Sequence, residues 1–226
     1  MEQSQQTSSA SKAFVASQSI AVSENKGYIF VKRLIDIFGS LTGIILLLWL
    51  FIIISVAIKV EDPKGPIFFK QKRIGKNGEE FYMYKLRSMV SNAEEMLESL
   101  LKHNEVSGAM FKMKNDPRIT RIGRFIRKTS IDELPQLWNV LKGDMSLVGP
   151  RPPLPREVQE YTFYQKQRLL VTPGCTGLWQ VSGRNNVGFE EMVELDLKYI
   201  EKRTIWFDIK IIFKTIKCMI SPNSAY

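Results

Sequence analysis

The run IFGSLTGIILLLWLFIIISVAI, residues 37–58, contains no charged side chain. At a rise of about 1.5 Å per residue, a helix over this run is long enough to cross a hydrocarbon core of about 30 Å. A buried core helix is the alternative, but soluble helices seldom go this far without a charge. Membrane contact is therefore the inference on which the fold rests. Lys26, Lys32 and Arg33 flank the run on one side, and Lys59, Lys64, Lys70, Lys72, Arg73 and Lys76 on the other. A single crossing would leave one of these basic flanks outside the cytoplasm, whereas a helix that enters and leaves by the same face satisfies both. The sequence thus favours re-entry, with the bulk of the chain cytoplasmic.

Outward from this segment, the chain divides into a Ser- and Gln-rich tail (1–27), the membrane helix segment (28–60) and a body (61–226). The tail reads as disordered, and it lacks the basic start and compact apolar core of a signal peptide. The 226-residue chain carries 32 Lys+Arg against 23 Asp+Glu, a net charge of +9. That balance favours an anionic partner: nucleic acid, anionic lipid or a phosphate-bearing substrate. Cys175 and Cys218 are the only cysteines and His103 the only histidine. Histidine-dependent triads, His-ligated zinc and a disulfide framework are set aside on those counts. Acid–base or nucleophilic chemistry falls to carboxylates, Lys, Tyr, Ser or Cys.

In the body, Ile67–Ile74 and Glu79–Met89 read as strands about the Asn77-Gly78 turn, a β-hairpin. Asn92–Leu101 reads as a short amphipathic helix with Asn92 as its cap, and Asn115-Asp116-Pro117 as a turn. Pro135–Leu141 reads as a short helix closed by Gly143. Residues 172–177 and 182–185 read as loops around Leu178–Val181, and Phe189–Lys202 as a helix with an acidic face. In the run from Thr204 to Ile220, Lys210, Lys214 and Lys217 share one face. Trp206, Ile209, Phe213, Ile216 and Ile220 fall on another, which fits a helix lying among lipid headgroups. A core helix with a solvated basic edge fits the same residues.

Asp132 and Glu133 stand between a basic run (Arg118, Arg121, Arg124, Arg127, Lys128) and the stiff turn Pro150-Arg151-Pro152. Ser130-x-x-Glu133 matches a capping box, which would give the pair a purely structural task. Pro135 counts against the box, because in a helix begun there it removes a backbone donor. A helix starting near Pro135 instead puts both carboxylates just before its N-terminus, where free amides favour anions. Arginines at every third position oppose a helix by like-charge repulsion. They suit a solvated face, or else a bound polyanion or membrane surface. Arg151, stiffened on both sides, suits a phosphate clamp. Phosphate chemistry at a membrane, carried by carboxylates, is as far as spacing alone leads.

The ordered pieces KRLID (32–36), FKQKRIG (69–75), KLRSM (85–89), DELPQLWNVLKGDMSLVGPRP (132–152), TPGCTG (172–177) and QVSGRN (180–185) carry a resemblance. Together they make the chain similar, over about Lys32 to Ile220, to the bacterial polyprenyl-phosphate hexose-1-phosphate transferases. These form the catalytic domain of monotopic phosphoglycosyl transferases. The resemblance implies transfer of a hexose 1-phosphate from a UDP-hexose to undecaprenyl phosphate, with release of UMP, as the first step of exopolysaccharide, capsule or other surface-glycan synthesis. It implies Asp132 as nucleophile, forming a covalent phosphosugar intermediate, and Glu133 as its partner, with Glu133 and Asp132 as the Mg²⁺ ligands. It further implies Arg127, Arg151 and Lys85 as phosphate-binding residues, and Gln180 and Arg184 as contacts to the nucleotide-sugar.

The implied location is the cytoplasmic face of the bacterial inner membrane, in contact with membrane lipid. A homodimer and downstream glycosyltransferases are compatible partners, and no nucleic-acid module is legible. The expected fold class is α+β: a small catalytic domain with a β-hairpin and several amphipathic interfacial helices, anchored by one N-terminal re-entrant helix. In the family a Ser-Pro pair breaks that helix; here Trp49-Leu50 occupies the corresponding place, so the break loses its usual cause. The long N-terminal membrane domain of larger relatives is missing, and a minimal catalytic form is expected. A membrane-anchored, non-catalytic scaffold for anionic partners is the rival. It leaves the carboxylate pair beside the Pro-Arg-Pro turn without a task.

Overall fold

The computed structural model describes residues 20, 22, 25–100, 102, 113, 116–183 and 188–220. The first helix, α1 (Lys26–Glu61, 36 residues), starts where the Asn25 side chain accepts from the Tyr28 amide and stops at Asp62-Pro63. It passes through Trp49-Leu50 without interruption, in keeping with the absence of proline there. Phe30, Phe38, Ile45, Leu46, Trp49, Ile52 and Val60 are exposed along it, so its apolar surface is largely unclaimed by the protein. It is the one helix among the described residues long and apolar enough to cross a membrane.

The polar residues near the start of α1 dock it onto the body. Lys32 Nζ bonds the Val148 carbonyl and the Asp208 carboxylate, each at 2.9 Å. The Asp36 carboxylate accepts from Ser146 Oγ at 3.0 Å and the Leu147 amide at 2.8 Å. The far half docks by apolar packing, with Ile54 and Ile58 buried against Leu86 and Ile126.

Strands β1 (Phe68–Ile74) and β2 (Glu80–Leu86) form the expected antiparallel hairpin, in register Phe69↔Lys85, Gln71↔Met83, Arg73↔Phe81. Asn77 (φ 57°) and Gly78 (φ 85°) supply its left-handed turn. Helix α2 (Ala93–Leu100) follows Asn92 as expected.

Helix α3 (Arg121–Lys128) overturns the expectation that the arginine spacing opposes a helix. Repulsion at that spacing amounts to a few tenths of a kcal/mol per pair, and three features outweigh it. Thr120 caps Gly123; the Glu61 carboxylate accepts from the Arg121 and Ile122 amides at 2.6 and 2.9 Å; and Ile126 is fully buried. Arg118 stands outside the helix, paired with Asp116 at 2.7 Å.

Helix α4 (Gln136–Lys142) runs from Pro135 to Gly143, whose φ of 99° closes it. A second correction follows. Residues 172–177, expected as loop, contain β4 (Gly174–Thr176), which pairs in parallel with β3 (Ser146–Val148), and the apolar Leu178–Val181 forms helix α7 (Leu178–Ser182). Between the strands lie the short helices α5 (Pro155–Glu160) and α6 (Phe163–Lys166). The β3–β4 contact is tight at Gly174: a methyl there would run into the backbone of Gly149, Val148 and Thr176. Backbone cannot step aside as a side-chain tip can. Gly174→Ala is therefore expected to cost about 3 kcal/mol or more, read as a lowered thermal midpoint or loss of folded protein.

Helices α8 (Phe189–Lys202) and α9 (Ile205–Ile220) close the body. Val193, Leu197 and Ile200 of α8 pack with Val148, Val171, Leu178 and Ile211 in the main core. Helix α9 reconciles the two sequence readings of its run. Asp208 and Ile211 are buried against the body, while Trp206, Phe213 and Ile216 form an exposed apolar flank beside exposed Lys210, Lys214 and Lys217. Most of the expected disordered tail lies outside the described residues. Ile20 and Val22 depart from that expectation by packing on the main core, and the Ile20 amide donates to Gln167 Oε1 at 2.6 Å.

Candidate active site

Between α3 and α4 the chain reverses within a few residues. Ser130 takes the turn in the left-handed region (φ 57°), sparsely populated by non-glycine residues, and gives no capping bond, so the capping box of the sequence is not formed. Ile131–Glu133 then make a single 3₁₀ turn leading into α4. Asp132 and Glu133 thus stand just ahead of the helix, as expected, held by backbone geometry and not by a cap.

What they face is decided by the hairpin. Asn139 of α4 is wholly buried; its Oδ1 accepts from the Tyr84 amide at 3.0 Å and its Nδ2 donates to the Tyr82 carbonyl at 2.7 Å. These bonds fix α4 against β2, which brings Lys85 Nζ to 2.6 Å from Glu133 Oε1. From α3, Arg127 donates through Nε to Ser88 Oγ at 2.9 Å and lies close enough to act on Asp132. Arg151 reaches the site electrostatically through Glu133. The structure therefore gathers Asp132, Glu133, Lys85, Arg127 and Arg151. Gln180 sits on α7, where its Nε2 approaches the Cys175 carbonyl at 3.5 Å and its Oε1 is buried without a partner among the described residues. Arg184 lies outside the described residues.

The two carboxylates differ in state. Burial pushes Asp132 up to about 6; Lys85 and Arg127 oppose the shift and the Glu133 charge adds to it. Among the described residues no side chain donates a hydrogen bond to it. Glu133 moves the other way: against the upward push of burial, Lys85 first, then Arg151 and Arg73, hold it below the ordinary carboxylate range. Neighbouring groups whose environments push them apart can take separate roles. Glu133 is a settled anion, and Asp132 is a poorly solvated carboxylate with a free lone pair. A poorly solvated carboxylate is the better nucleophile.

Several contributors were not legible in the sequence. Arg73, 5% exposed near the end of β1, donates to the Pro152 carbonyl at 2.9 Å and acts on both Arg151 and Glu133. Arg168 holds the other side of the same turn. Its Nε and Nη2 bond the Asp196 carboxylate at 2.9 and 2.6 Å, its Nη1 bonds Tyr161 Oη at 3.0 Å, and its Nη2 approaches the Arg151 carbonyl at 3.5 Å. Strand period two could have placed Arg73 on the same hairpin face as Lys85, once the register was known.

The family model described as bacterial sugar transferase matches residues 27–222. The chain is 52% identical over 199 residues to the galactosyl transferase CpsE of Streptococcus agalactiae serotype III (strain NEM316), covering 88% of this chain and 44% of that protein. It is 48% identical over 201 residues to the undecaprenyl-phosphate galactose phosphotransferase of Salmonella typhimurium, covering 87% of this chain and 42% of that protein. It is 37% identical over 227 residues to the exopolysaccharide production protein ExoY of Rhizobium meliloti, covering 97% of each. The chain thus spans less than half the length of the first two relatives.

Proposed function

Because this chain belongs to the bacterial sugar transferase family, we propose that it transfers a hexose 1-phosphate from a UDP-hexose to undecaprenyl phosphate and releases UMP. The observation that carries this reading is the buried Asp132, with no side-chain donor among the described residues, beside Glu133 and within the reach of Lys85, Arg127 and Arg151. Two relatives, the undecaprenyl-phosphate galactose phosphotransferase above and an undecaprenyl-phosphate glucose phosphotransferase of Komagataeibacter xylinus (40% identical over 210 residues), support the acceptor, and galactose or glucose as the sugar.

In the first step an Asp132 carboxylate oxygen attacks the β-phosphorus of the UDP-hexose. A new phosphorus–oxygen bond forms, the bond from that phosphorus to the bridging oxygen breaks, and UMP departs with the bridging oxygen. In the second step a phosphate oxygen of undecaprenyl phosphate attacks the same phosphorus and expels Asp132, leaving undecaprenyl diphosphate-hexose. Dividing the transfer spares a direct encounter of two free polyanions and keeps one nucleophile in place. Arg127, Arg151 and Lys85 neutralise charge as it moves onto the leaving phosphate.

Magnesium suits the donor set. Mg²⁺ takes one or two protein carboxylates and fills its shell with phosphate oxygens and waters, and Glu133 with Asp132 can supply that number. When bound there, the ion would neutralise the diphosphate of the donor.

The body touches both halves of α1, through Lys32, Arg33 and Asp36 at one end and Ile54, Ile58 and Glu61 at the other. This supports a helix held along one face of the membrane with both basic flanks cytoplasmic, and it suits a reaction at the cytoplasmic face of the inner membrane. The exposed apolar and lysine flanks of α9 suit contact with the same leaflet.

The test is the identity of the released nucleotide. Membranes carrying the protein, incubated with UDP-galactose or UDP-glucose, Mg²⁺ and undecaprenyl phosphate, are expected to yield UMP. UDP as product would mean transfer of the bare sugar and would sink the proposed chemistry.

A further inference from the structure

Four arginines are buried among the described residues: Arg73, Arg87, Arg118 and Arg168. Three follow the rule that a buried cation is paired with a carboxylate. Arg87 meets Asp62 at 2.6 Å, Arg118 meets Asp116 at 2.7 Å, and Arg168 meets Asp196 at 2.6 Å. Arg73 breaks the rule. Its Nη1 and Nη2 bond two neutral oxygens, the Pro152 carbonyl at 2.9 Å and Gln71 Oε1 at 2.6 Å, and its Nε has no partner. Its nearest charged neighbour in effect is another cation, Arg151, and the two oppose one another; Glu157 and Glu133 act on it only at a distance.

The backbone shows what this arrangement accomplishes. β1 straps the Pro150-Arg151-Pro152 turn twice, through Arg73 to the Pro152 carbonyl and through the Ile74 amide to the Pro153 carbonyl at 2.9 Å. From the opposite side Arg168 reaches the Arg151 carbonyl. The Arg151 backbone is thus gripped from two directions while its side chain stays partly exposed. A carboxylate beside Arg73 would relieve the local charge but would also draw Arg151 away. Leaving the buried guanidinium without a direct carboxylate partner keeps positive charge beside Arg151 at the Glu133 end of the site. A ligand carrying two adjacent phosphates supplies the missing negative charge, and one carrying a single phosphate supplies less.

We propose that Arg73 is a positioning residue for Arg151 whose uncompensated charge tunes the site to a diphosphate over a monophosphate. The inference rests on the transfer reading above for its identification of the diphosphate with that of a nucleotide-sugar. On this view Arg73 contributes to binding the donor and to letting UMP go, because the product no longer carries the second phosphate. Arg73 itself, being buried, acts through Arg151 and through its field.

The test is equilibrium binding of UDP and of UMP to the detergent-solubilised full chain in three forms: wild type, Arg73→Gln and Arg73→Lys. Arg73→Gln keeps a donor for the Pro152 carbonyl and removes the charge. It is expected to weaken UDP about tenfold and UMP less than about threefold, while Arg73→Lys keeps UDP within about threefold of wild type. Equal UDP affinity in all three overturns the proposal. A fall in UDP and UMP affinity together, with a lowered thermal midpoint, overturns it too, since that is what a purely structural residue would give. Should Arg73→Gln not accumulate, Gln71→Glu sets a carboxylate against the guanidinium and offsets its charge while keeping the arginine. A UDP loss larger than the UMP loss supports the proposal there, and unchanged discrimination overturns it. Release of UMP from UDP-hexose by the wild type is scored in parallel. If it fails while the UDP discrimination tracks residue 73, the transfer reading falls and the diphosphate site stands.

Discussion

On the proposed mechanism, Asp132→Asn is expected to abolish UMP release and at the same time to make the protein more stable above pH 6. The first effect is the loss of the attacking oxygen, expected at about three orders of magnitude or more. The second follows from the raised pKa of Asp132. Burial pushes the group from the model-peptide value of 3.8 up to about 6, so the folded protein binds this proton more tightly than the unfolded chain does. The stability tied to the protonated form is complete below pH 3.8 and is lost as pH rises through about 6. Above that, keeping the carboxylate charged and buried costs up to about 3 kcal/mol, and Asn escapes the cost. Thermal unfolding of the two proteins at pH 8 and pH 4 gives the check. The gain should be present at pH 8 and gone at pH 4, and a gain equal at both would remove ionisation as its cause. In the wild type, activity should fall as pH drops through 6, because the protonated acid cannot attack.

Arg168→Ala should cost about 3–5 kcal/mol, a fall in thermal midpoint of roughly 10 °C, because it strands the fully buried Asp196 charge. Replacing both partners by apolar residues, Arg168→Met with Asp196→Leu, should cost less than the single change, since no unpaired charge remains. If the double variant were as unstable as the single one, packing and not charge would be responsible. The penalty of the single change should also shrink at low pH. Burial already pushes Asp196 upward, with Arg168 as the chief opposing influence, so removing the arginine lets the carboxyl take a proton and become neutral. Because Arg168 also approaches the Arg151 carbonyl, whatever folded Arg168→Ala protein survives should bind the nucleotide-sugar more weakly.

The sequence disclosed those parts of the fold whose signal is local. The charge-free run of α1, the period-two strands around Asn77-Gly78, the Gly143 stop of α4 and the limits of α8 each depend on residues close together in the chain. β3 and β4 are three residues long apiece and exist only because Ser146–Val148 and Gly174–Thr176 meet, which no local pattern announces. The helix at Arg121–Lys128 was hidden for a related reason: beside its local Thr120 cap, its first two amides are satisfied by Glu61, in another element. In the site, Asp132, Glu133, Lys85, Arg127 and Arg151 were named through resemblance, and the fold gathers them. Asn139 and Arg73 were not named, since a buried amide or an unpaired guanidinium looks like any other polar residue until its surroundings are known.

The docking of α1 at both ends makes the anchor a wall of the body and not a tether. Ile54 and Ile58 are core residues shared with Leu86 and Ile126, so cutting the helix away would open the interior instead of liberating a soluble domain. With no slack between anchor and site, the height of Asp132 over the leaflet is a fixed dimension of the molecule. In the proposed reaction a carrier lipid would then find the site by drifting sideways in the plane of the membrane, a search in two dimensions whose rate would be set by lipid diffusion and carrier density.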